Sequence, residues 1–201
     1  KNVTILPENP LLDIKVMFAN FIALIFNIAT TLIGCLLILR VYVFFHRISI
    51  FDPIARLAWM GTNWLVVPLT RIFKPSRRWE WAAVVGALLM AALVAVVGYQ
   101  VTGLPIQPLL LPICAVFLLL RWMLELILWG TIIFVLLSWL QPDSPAYGIF
   151  WRLMNPIIGP ISSRLPRFGG FDFSPVVVFI LVNLLLYWVT PFSQGYFISA
   201  W

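Results

Sequence analysis

Four long apolar stretches, separated by more polar connections, dominate the pattern along this chain. They lie roughly at Val16–Phe45, Trp81–Val101, Ile113–Leu140 and Pro175–Val189. A helix needs about 20 predominantly apolar residues to cross the hydrocarbon core of a bilayer. The fourth stretch has only 15 residues, so we expect it to tilt less or to extend at its ends. The pattern predicts an all-α membrane protein with four transmembrane helices.

Composition supports this class. The 201 residues are 63% hydrophobic and 10% charged, whereas soluble domains carry about 25% charged residues. The four stretches leave no room for a soluble catalytic domain. The first stretch is too long for a signal peptide and lacks its cleavage pattern, so we expect a retained helix.

Basic residues cluster in two of the three connections. Arg47, Arg56, Arg71, Lys74, Arg77 and Arg78 lie between the first two helices, and Arg152, Arg164 and Arg167 lie between the last two. The middle connection, Val101–Pro112, has no basic residue. The positive-inside rule therefore predicts that both long loops are cytoplasmic and that the middle loop and both termini are periplasmic.

A shift of 92 residues aligns the chain with itself. It places Trp59, Asn63, Pro68, Trp79, Glu80 and Trp81 on Trp151, Asn155, Pro160, Phe171, Asp172 and Phe173. Because the two long loops carry the same charge, the pattern predicts a parallel duplication of a helix–amphipathic loop–helix unit. The predicted divisions are an N-terminal extracytoplasmic segment (1–15), a first repeat (16–105), a second repeat (106–190) and a C-terminal tail (191–201).

Each long loop contains apolar residues at helical spacing. In the second loop these are Phe150, Leu153, Ile157, Ile161 and Leu165. Pro156 and Pro160 are expected to interrupt this segment, giving a short helix that ends near Asn155 and a bent segment after it. Such segments lie at the membrane interface with arginines toward anionic headgroups, or they are re-entrant and buried in protein.

Glu125 lies near the middle of the third helix, and Arg121 is four residues earlier on the same face. An acid at that depth marks a buried partner or a functional site. One interpretation is an intrahelical ion pair that docks against another helix. The other is a carboxylate that binds a proton or a cation.

Other polar positions in the helices favour structural roles. Asn27 and Asn183 are expected to form hydrogen bonds between helices, with a pore lining as the alternative. Arg40 is close enough to the end of the first helix to snorkel. Ala83, Ala87, Ala91 and Ala95 form a stripe of small residues that allows close helix contact.

No constellation of residues indicates catalysis. His46 is the only histidine, and Cys35 and Cys114 both lie within apolar stretches. The chain has no nucleophile elbow, P-loop or HExxH pattern. We therefore expect a non-enzymatic protein without a metal or cofactor.

The second loop carries a specific motif. Ser138-Trp139, Asn155-Pro156, Pro160 and the stretch RLPRFGGFDFSP from Arg164 to Pro175 resemble the YggT (YlmG) family of small integral membrane proteins. The first copy has PSRRWEW in place of RFGGFDF. The resemblance implies a bacterial inner-membrane protein with plastid relatives and no established enzymatic activity. It also implies associations with osmotic tolerance and potassium handling, with cell division, and with cytochrome assembly in plastids.

The motif itself predicts a fold-defining turn. Gly169 and Gly170 supply the dihedral freedom of a tight reversal. Ser174 and Pro175 fit the N-cap and first position of the last helix. Phe171 and Phe173 are expected to anchor at the interface, and Asp172 to meet Arg164, Arg167 or the helix N-terminus.

These patterns favour a scaffold, assembly factor or accessory subunit in a homo- or hetero-oligomeric membrane complex. Its expected partners are anionic lipids and other membrane proteins, without direct nucleic-acid binding. The predicted binding residues are Arg71, Lys74, Arg77, Arg78, Arg152, Arg164 and Arg167. The alternative is an ion channel or transport protein with Glu125 in the path.

Overall fold

A computed structural model describes residues 10–49, 51–102, 110–164 and 173–193. The described residues form six helices and no strand: α1 (Pro10–Phe45), α2 (Pro53–Thr70), α3 (Trp81–Thr102), α4 (Leu111–Leu140), α5 (Pro145–Ser162) and α6 (Ser174–Ser193). Of these, α1, α3, α4 and α6 contain segments long and apolar enough to cross a membrane. The all-α class and the four membrane-spanning candidates are therefore confirmed.

The last spanning helix is longer than its apolar core. Its 20 residues run to Ser193 and include Thr190 and Pro191, which lie beyond the predicted end at Val189. The Thr190 hydroxyl donates to the carbonyl of Leu186 at 2.7 Å, so this polar group is satisfied within the helix. The expected extension at the ends accounts for the short apolar run.

The shorter helices α2 and α5 begin in the same way. The side chains of Asp52 and Ser144 cap them, each accepting a hydrogen bond of 3.1 Å from a backbone N–H of the first turn. A proline follows each cap, where its missing N–H costs nothing. Both helices have 18 residues, and their bounds differ by the same 92 positions as the sequence correspondence. Duplication itself stays a prediction.

Helix α5 is continuous, and the predicted interruption near Asn155 is wrong. Pro156 and Pro160 lie inside the helix. Each proline removes one backbone hydrogen bond, because its nitrogen cannot donate to the carbonyl four residues earlier. Leu153, Met154 and Ile158 are buried against the spanning helices. This packing outweighs the local preference of the prolines.

Both short helices pack at the same end of the spanning helices. Helices α1 and α4 end there, and α3 and α6 begin there. In α2, Leu65 and Leu69 lie next to Gly86, early in α3. In α5, Met154 lies next to Gly130 in the second half of α4. The long connections therefore belong to one end of the molecule.

The spanning helices meet through small residues. The alanine stripe of α3 is buried, as predicted. Ala83, Ala87 and Ala91 pack in a cluster with Leu37 and Trp122, and Ala95 packs with Cys114 of α4. On α1, a Cβ at Gly34 would lie only 2.2 Å from the Trp122 ring. The glycine therefore provides the space that the buried indole of α4 occupies.

Candidate functional site

A buried ion pair joins α1 to the start of α3. Arg40 and Glu80 are 3% and 4% exposed. Arg40 Nε donates to Glu80 Oε2 at 2.8 Å, and Nη2 donates to Oε1 at 2.7 Å. This bidentate geometry is the strongest pairing that a guanidinium makes with a carboxylate.

Helix α2 completes the surroundings of the same guanidinium. Arg40 Nη1 donates to Thr62 Oγ1 at 3.1 Å and to Asn63 Oδ1 at 2.8 Å. The Arg40 Cζ atom lies 4.7 Å from the centroid of the Trp59 ring, a cation–π distance. Arg40, Glu80, Thr62, Asn63 and Trp59 are called the arginine nest below.

The prediction that Arg40 snorkels to the interface is wrong. The residue lies five positions before the end of α1, within reach of the interface. However, α2 packs beside this part of α1, and the chain delivers Glu80 next to the guanidinium. A charged, hydrogen-bonded partner inside the protein replaces water.

The arginine nest is a closed, compensated cluster. Its charges cancel, and four hydrogen bonds satisfy the guanidinium. Within the described residues, the Trp59 indole N–H is buried without a hydrogen-bond partner. The cluster fixes three helices relative to one another, so its first role is structural.

The recurrence of Trp59, Asn63 and Glu80 in the sequence marks these residues but does not reveal their shared partner, Arg40. The signal that could have found Arg40 is its charge within an otherwise apolar helix. The 92-residue correspondence does not include Arg40, because the residue 92 positions later is Ile132.

An open cavity lies beside the matching residues of the second unit. Its volume is about 630 Å³. Trp151 and Asn155, which correspond in sequence to Trp59 and Asn63, line it from α5. Other walls come from α4 and the first turn of α6, through Phe134, Val135, Ser138 and Val176. We call this space the α5 cavity.

A second ion pair lies within α4. Arg121 Nε donates to Glu125 Oε1 at 2.8 Å, and the side chains are 18% and 15% exposed. Glu125 Oε2 is buried without a hydrogen-bond partner among the described residues. Arg121 and Glu125 therefore form the intrahelical ion pair that was the first of the two interpretations of Glu125. The unpartnered oxygen leaves one acceptor available for a proton or a cation.

The segment that contains the α5 cavity matches a known family model. Residues 113–193 match the CCB3/YggT model, and this range begins early in α4 and ends with α6. Full-length relatives carry the same family name: YggT of Escherichia coli is 26% identical over 83% of this chain and 87% of its own length. The second unit of this chain therefore carries a YggT-family domain.

Two other relatives extend the similarity without adding a function. An uncharacterised protein of Pseudomonas aeruginosa is 29% identical over 75% of this chain and 78% of its own length. An uncharacterised protein of Haemophilus influenzae is 28% identical over 90% of this chain and 96% of its own length. No solved structure matches this chain.

The motif residues of the second unit are only partly described. Trp151, Asn155 and Pro160 lie on α5, Pro175 is buried at the start of α6, and Phe173 is 50% exposed. The other predicted residues of this motif lie outside the described residues: Arg167, Gly169, Gly170, Phe171 and Asp172.

In the first unit the two aromatic residues beside Glu80 face outward. Trp79 and Trp81 are 43% and 47% exposed, and their rings stack with centroids 6.1 Å apart. Pro68 lies within the last turn of α2. Glu80 points inward to Arg40 while its neighbours form an aromatic surface. The aromatic–acid–aromatic triplet thus divides between core and surface here.

The predicted basic residues lie on the surface. The exposed residues are Arg71, Lys74, Arg77, Arg78, Arg152 and Arg164. The ion pairs found within the described ranges, Arg40–Glu80 and Arg121–Glu125, involve none of them. Arg164 donates instead to the carbonyl of Pro160 at 3.2 Å. These charges lie at the end where α2 and α5 pack.

Among the described residues, Asn27 and Asn183 do not form the expected hydrogen bonds to other helices. Asn27 is exposed and accepts from Thr31 on its own helix at 3.4 Å. Asn183 is also exposed, and its Nδ2 donates to the carbonyl of Phe179, one turn earlier, at 2.8 Å. Both side chains lie on outer surfaces because neighbouring helices pack on the other faces of α1 and α6.

Proposed function

We propose that this protein is a non-enzymatic scaffold or assembly subunit of a bacterial inner-membrane complex. The observation that carries the proposal is the set of six exposed basic side chains at one end of the spanning helices. The positive-inside rule favours a cytoplasmic position for that end. Each basic residue near an anionic membrane surface contributes about 1 kcal/mol of attraction, so this end binds lipid headgroups and an acidic partner surface.

Two further features support a partner within the membrane. Asn183 is the tenth residue of the 20-residue α6, near the centre of the span, and its side chain is exposed. A carboxamide facing lipid is unfavourable, whereas a hydrogen bond to a neighbouring helix satisfies it. Tyr187 and Trp188 on the same helix are 79% and 71% exposed. The outer surface of α6 therefore fits a second membrane protein.

Site-specific photo-crosslinking in native membranes tests the proposal. A photoreactive amino acid is placed at Asn183 and, as a matched control, at Leu32 on the exposed side of α1. We expect a discrete crosslinked protein band from position 183 and lipid adducts from position 32. The photoreactive amino acid is also placed at Arg71 and Arg77 in the basic loop. Recovery of only uncrosslinked monomer from positions 183, 71 and 77 contradicts the proposal.

A second candidate function is ion conduction or transport, and the unpartnered Glu125 oxygen favours it. A carboxylate near the middle of a span, with one oxygen free of the Arg121 pair, provides a binding point for a proton or a monovalent cation. Arg121 opposes cation binding at the same residue. This candidate therefore ranks second.

Flux measurements separate the two candidates. The purified protein is reconstituted in liposomes, and potassium and proton fluxes are measured under an osmotic gradient for the parent protein and for Glu125→Gln. Transport predicts a flux that this substitution changes by about tenfold or more, because it removes the charge without changing the side-chain shape. Fluxes that equal those of empty liposomes for both proteins rule out this function.

A further inference from the structure

The two units use the same pair of side chains in different ways. In α2, the Trp59 ring and the Asn63 carboxamide oxygen hold the guanidinium of Arg40. In α5, Trp151 and Asn155 occupy the corresponding positions and line an open cavity. Within the described ranges, no hydrogen bond engages the Asn155 side chain, which is exposed and lines this space. The arginine nest is thus a template for what the α5 cavity accepts.

The described residues that line the α5 cavity supply no cation. The residue of α4 that lies 92 positions after Arg40 is Ile132, which carries no charge, and the α4 residues that line the cavity include Phe134, Val135 and Ser138. None of the described lining residues is an arginine or a lysine. The volume of about 630 Å³ is far more than the share of about 30 Å³ that one water occupies in the liquid. The space accommodates a long side chain together with its polar head.

The chemistry of the walls suits an alkylguanidinium. The Trp151 ring, 46% exposed, offers a cation–π face, and the Asn155 carboxamide supplies a hydrogen-bond acceptor. Phe134, Val135 and Val176 form an apolar wall along which methylene groups can pack. A phosphate group binds most strongly to positively charged donors, which the described walls lack. Arg152 and Arg164 are exposed, so water screens their repulsion of a bound cation.

We propose that the α5 cavity is the docking site for an arginine side chain of a partner membrane protein. The inference rests on the proposed scaffold function and names the chemistry of the partner. Trp151 stacks against the arriving guanidinium, Asn155 accepts one of its N–H groups, and the apolar wall covers its stem. The sequence counterpart of Glu80 is Asp172, which lies outside the described residues, and the proposal does not depend on it.

Ligand binding tests the chemistry directly. The purified protein in nanodiscs is titrated with octylguanidinium, octylammonium or octyl phosphate, and binding is followed by thermal unfolding. We expect octylguanidinium to stabilise the parent protein the most. Asn155→Ala and Trp151→Leu should each weaken its binding by about tenfold, the size of a lost cation–π or charged hydrogen bond. Gly148→Ala on α5, where an added Cβ meets nothing within 4 Å, should bind as the parent does.

A second variant supplies the guanidinium from within the chain. Val135→Arg places an arginine on the α4 wall of the cavity. It should raise the melting temperature and abolish octylguanidinium binding, and adding Asn155→Ala should reverse the gain. If Val135→Arg does not fold, the proposal is judged by whether Asn155→Ala loses octylguanidinium binding.

Three results would overturn the proposal. Equal or stronger binding of octylammonium assigns the site to lipid amines, and preferred binding of octyl phosphate assigns it to anions. Octylguanidinium binding that appears only in Arg167→Gln also overturns the proposal, because the chain would then provide its own ligand.

The partner experiment separates this inference from the proposed function. A photo-crosslinker at Trp139, on the rim of the α5 cavity, should capture the protein that Asn183 captures. Val135→Arg should remove the crosslink at position 139 and leave the one at position 183. Crosslinks unchanged at both positions overturn the docking proposal and leave the scaffold function intact. If octylguanidinium binds but no crosslink forms at either position, the scaffold function is overturned. The guanidinium that the cavity accepts would then not come from a partner protein.

Discussion

Arg40 of α1 and Glu80 at the start of α3 form a bidentate ion pair, with N···O distances of 2.7 and 2.8 Å, in the core of the molecule. Asn63 and Thr62 of α2 bind the same guanidinium. One side chain therefore connects two spanning helices and the short helix between them. The connection between α2 and α3 carries an exposed basic surface, and the pair holds the end of that connection in place.

Removing one partner of this pair should destabilise the protein strongly. Arg40→Met leaves the Glu80 carboxylate buried without its counter-charge, and Glu80→Gln leaves the Arg40 guanidinium with only neutral acceptors. Losses of this kind lower the free energy of unfolding by about 3–5 kcal/mol. Thermal or denaturant unfolding in detergent micelles measures the change. The basic loop should also become more sensitive to proteolysis, since Glu80 ends it.

The double variant Arg40→Met/Glu80→Leu provides the control. Apolar replacement of both partners removes the uncompensated charge, so stability should recover by more than half of the loss in either single variant. Additive losses would show instead that each residue acts through separate contacts.

Gly34 should not tolerate a methyl group. An alanine Cβ there would lie 2.2–2.5 Å from three ring atoms of Trp122, a rigid side chain that is fully buried. Forced overpacking of this kind costs about 1–3 kcal/mol, occasionally more. We expect Gly34→Ala to lower the melting temperature and to weaken the packing of α1 on α4.

Two other glycines calibrate this effect. At Gly130 the added Cβ would meet the terminal methyl of Met154 at 2.7 Å, and that flexible side chain can move aside. At Gly148 it would meet nothing within 4 Å, so Gly148→Ala should raise stability by about 0.5–1 kcal/mol through higher helix propensity. A loss at Gly34 no larger than at Gly130 contradicts the assigned close packing.

Periodicity and composition were enough to predict the architecture. The apolar stretches gave the four spanning candidates, and the spacing of Ala83, Ala87, Ala91 and Ala95 gave a buried stripe that the structure confirms. These features are local, because each helix carries its own hydrophobic pattern. The resemblance of the second loop also led to the correct family.

The tertiary features could not be predicted in the same way. The partner of Arg40 comes from residue 80, forty positions away, through a loop whose path no local pattern specifies. The continuity of α5 through Pro156 depends on packing of Leu153 and Ile158 against other helices. The outward position of Asn183 depends on which face of α6 meets α4. All three are decided by contacts between distant parts of the chain.

Both long connections should be reached by reagents from the same side of the membrane. The structure packs α2 and α5 at one end of the spanning helices, and the charge pattern predicts that this end is cytoplasmic. In a background with Cys35 and Cys114 replaced by alanine, Ser76→Cys and Asp143→Cys should resist an impermeant thiol reagent in intact cells. Gln107→Cys, in the middle connection of the sequence, should react.

Inverted membrane vesicles give the complementary measurement. Positions 76 and 143 should then react, and position 107 should not. Opposite behaviour of positions 76 and 143 would contradict the shared end, whereas reversed behaviour of all three would contradict only the orientation.

Asn183 should matter for assembly and not for the stability of a single chain. Its side chain is exposed, and its hydrogen bond stays within α6. Asn183→Leu should therefore leave the isolated protein as stable as the parent, or stabilise it by about 1 kcal/mol in lipid, because it removes a polar group from the hydrocarbon region. The same variant should reduce recovery of the complex from native membranes.

Thr131→Val is the matched buried comparison, because the Thr131 hydroxyl also donates to a carbonyl one turn earlier on its own helix. It should change neither quantity greatly, so a loss of monomer stability specific to Asn183→Leu would assign Asn183 to the internal packing of the chain.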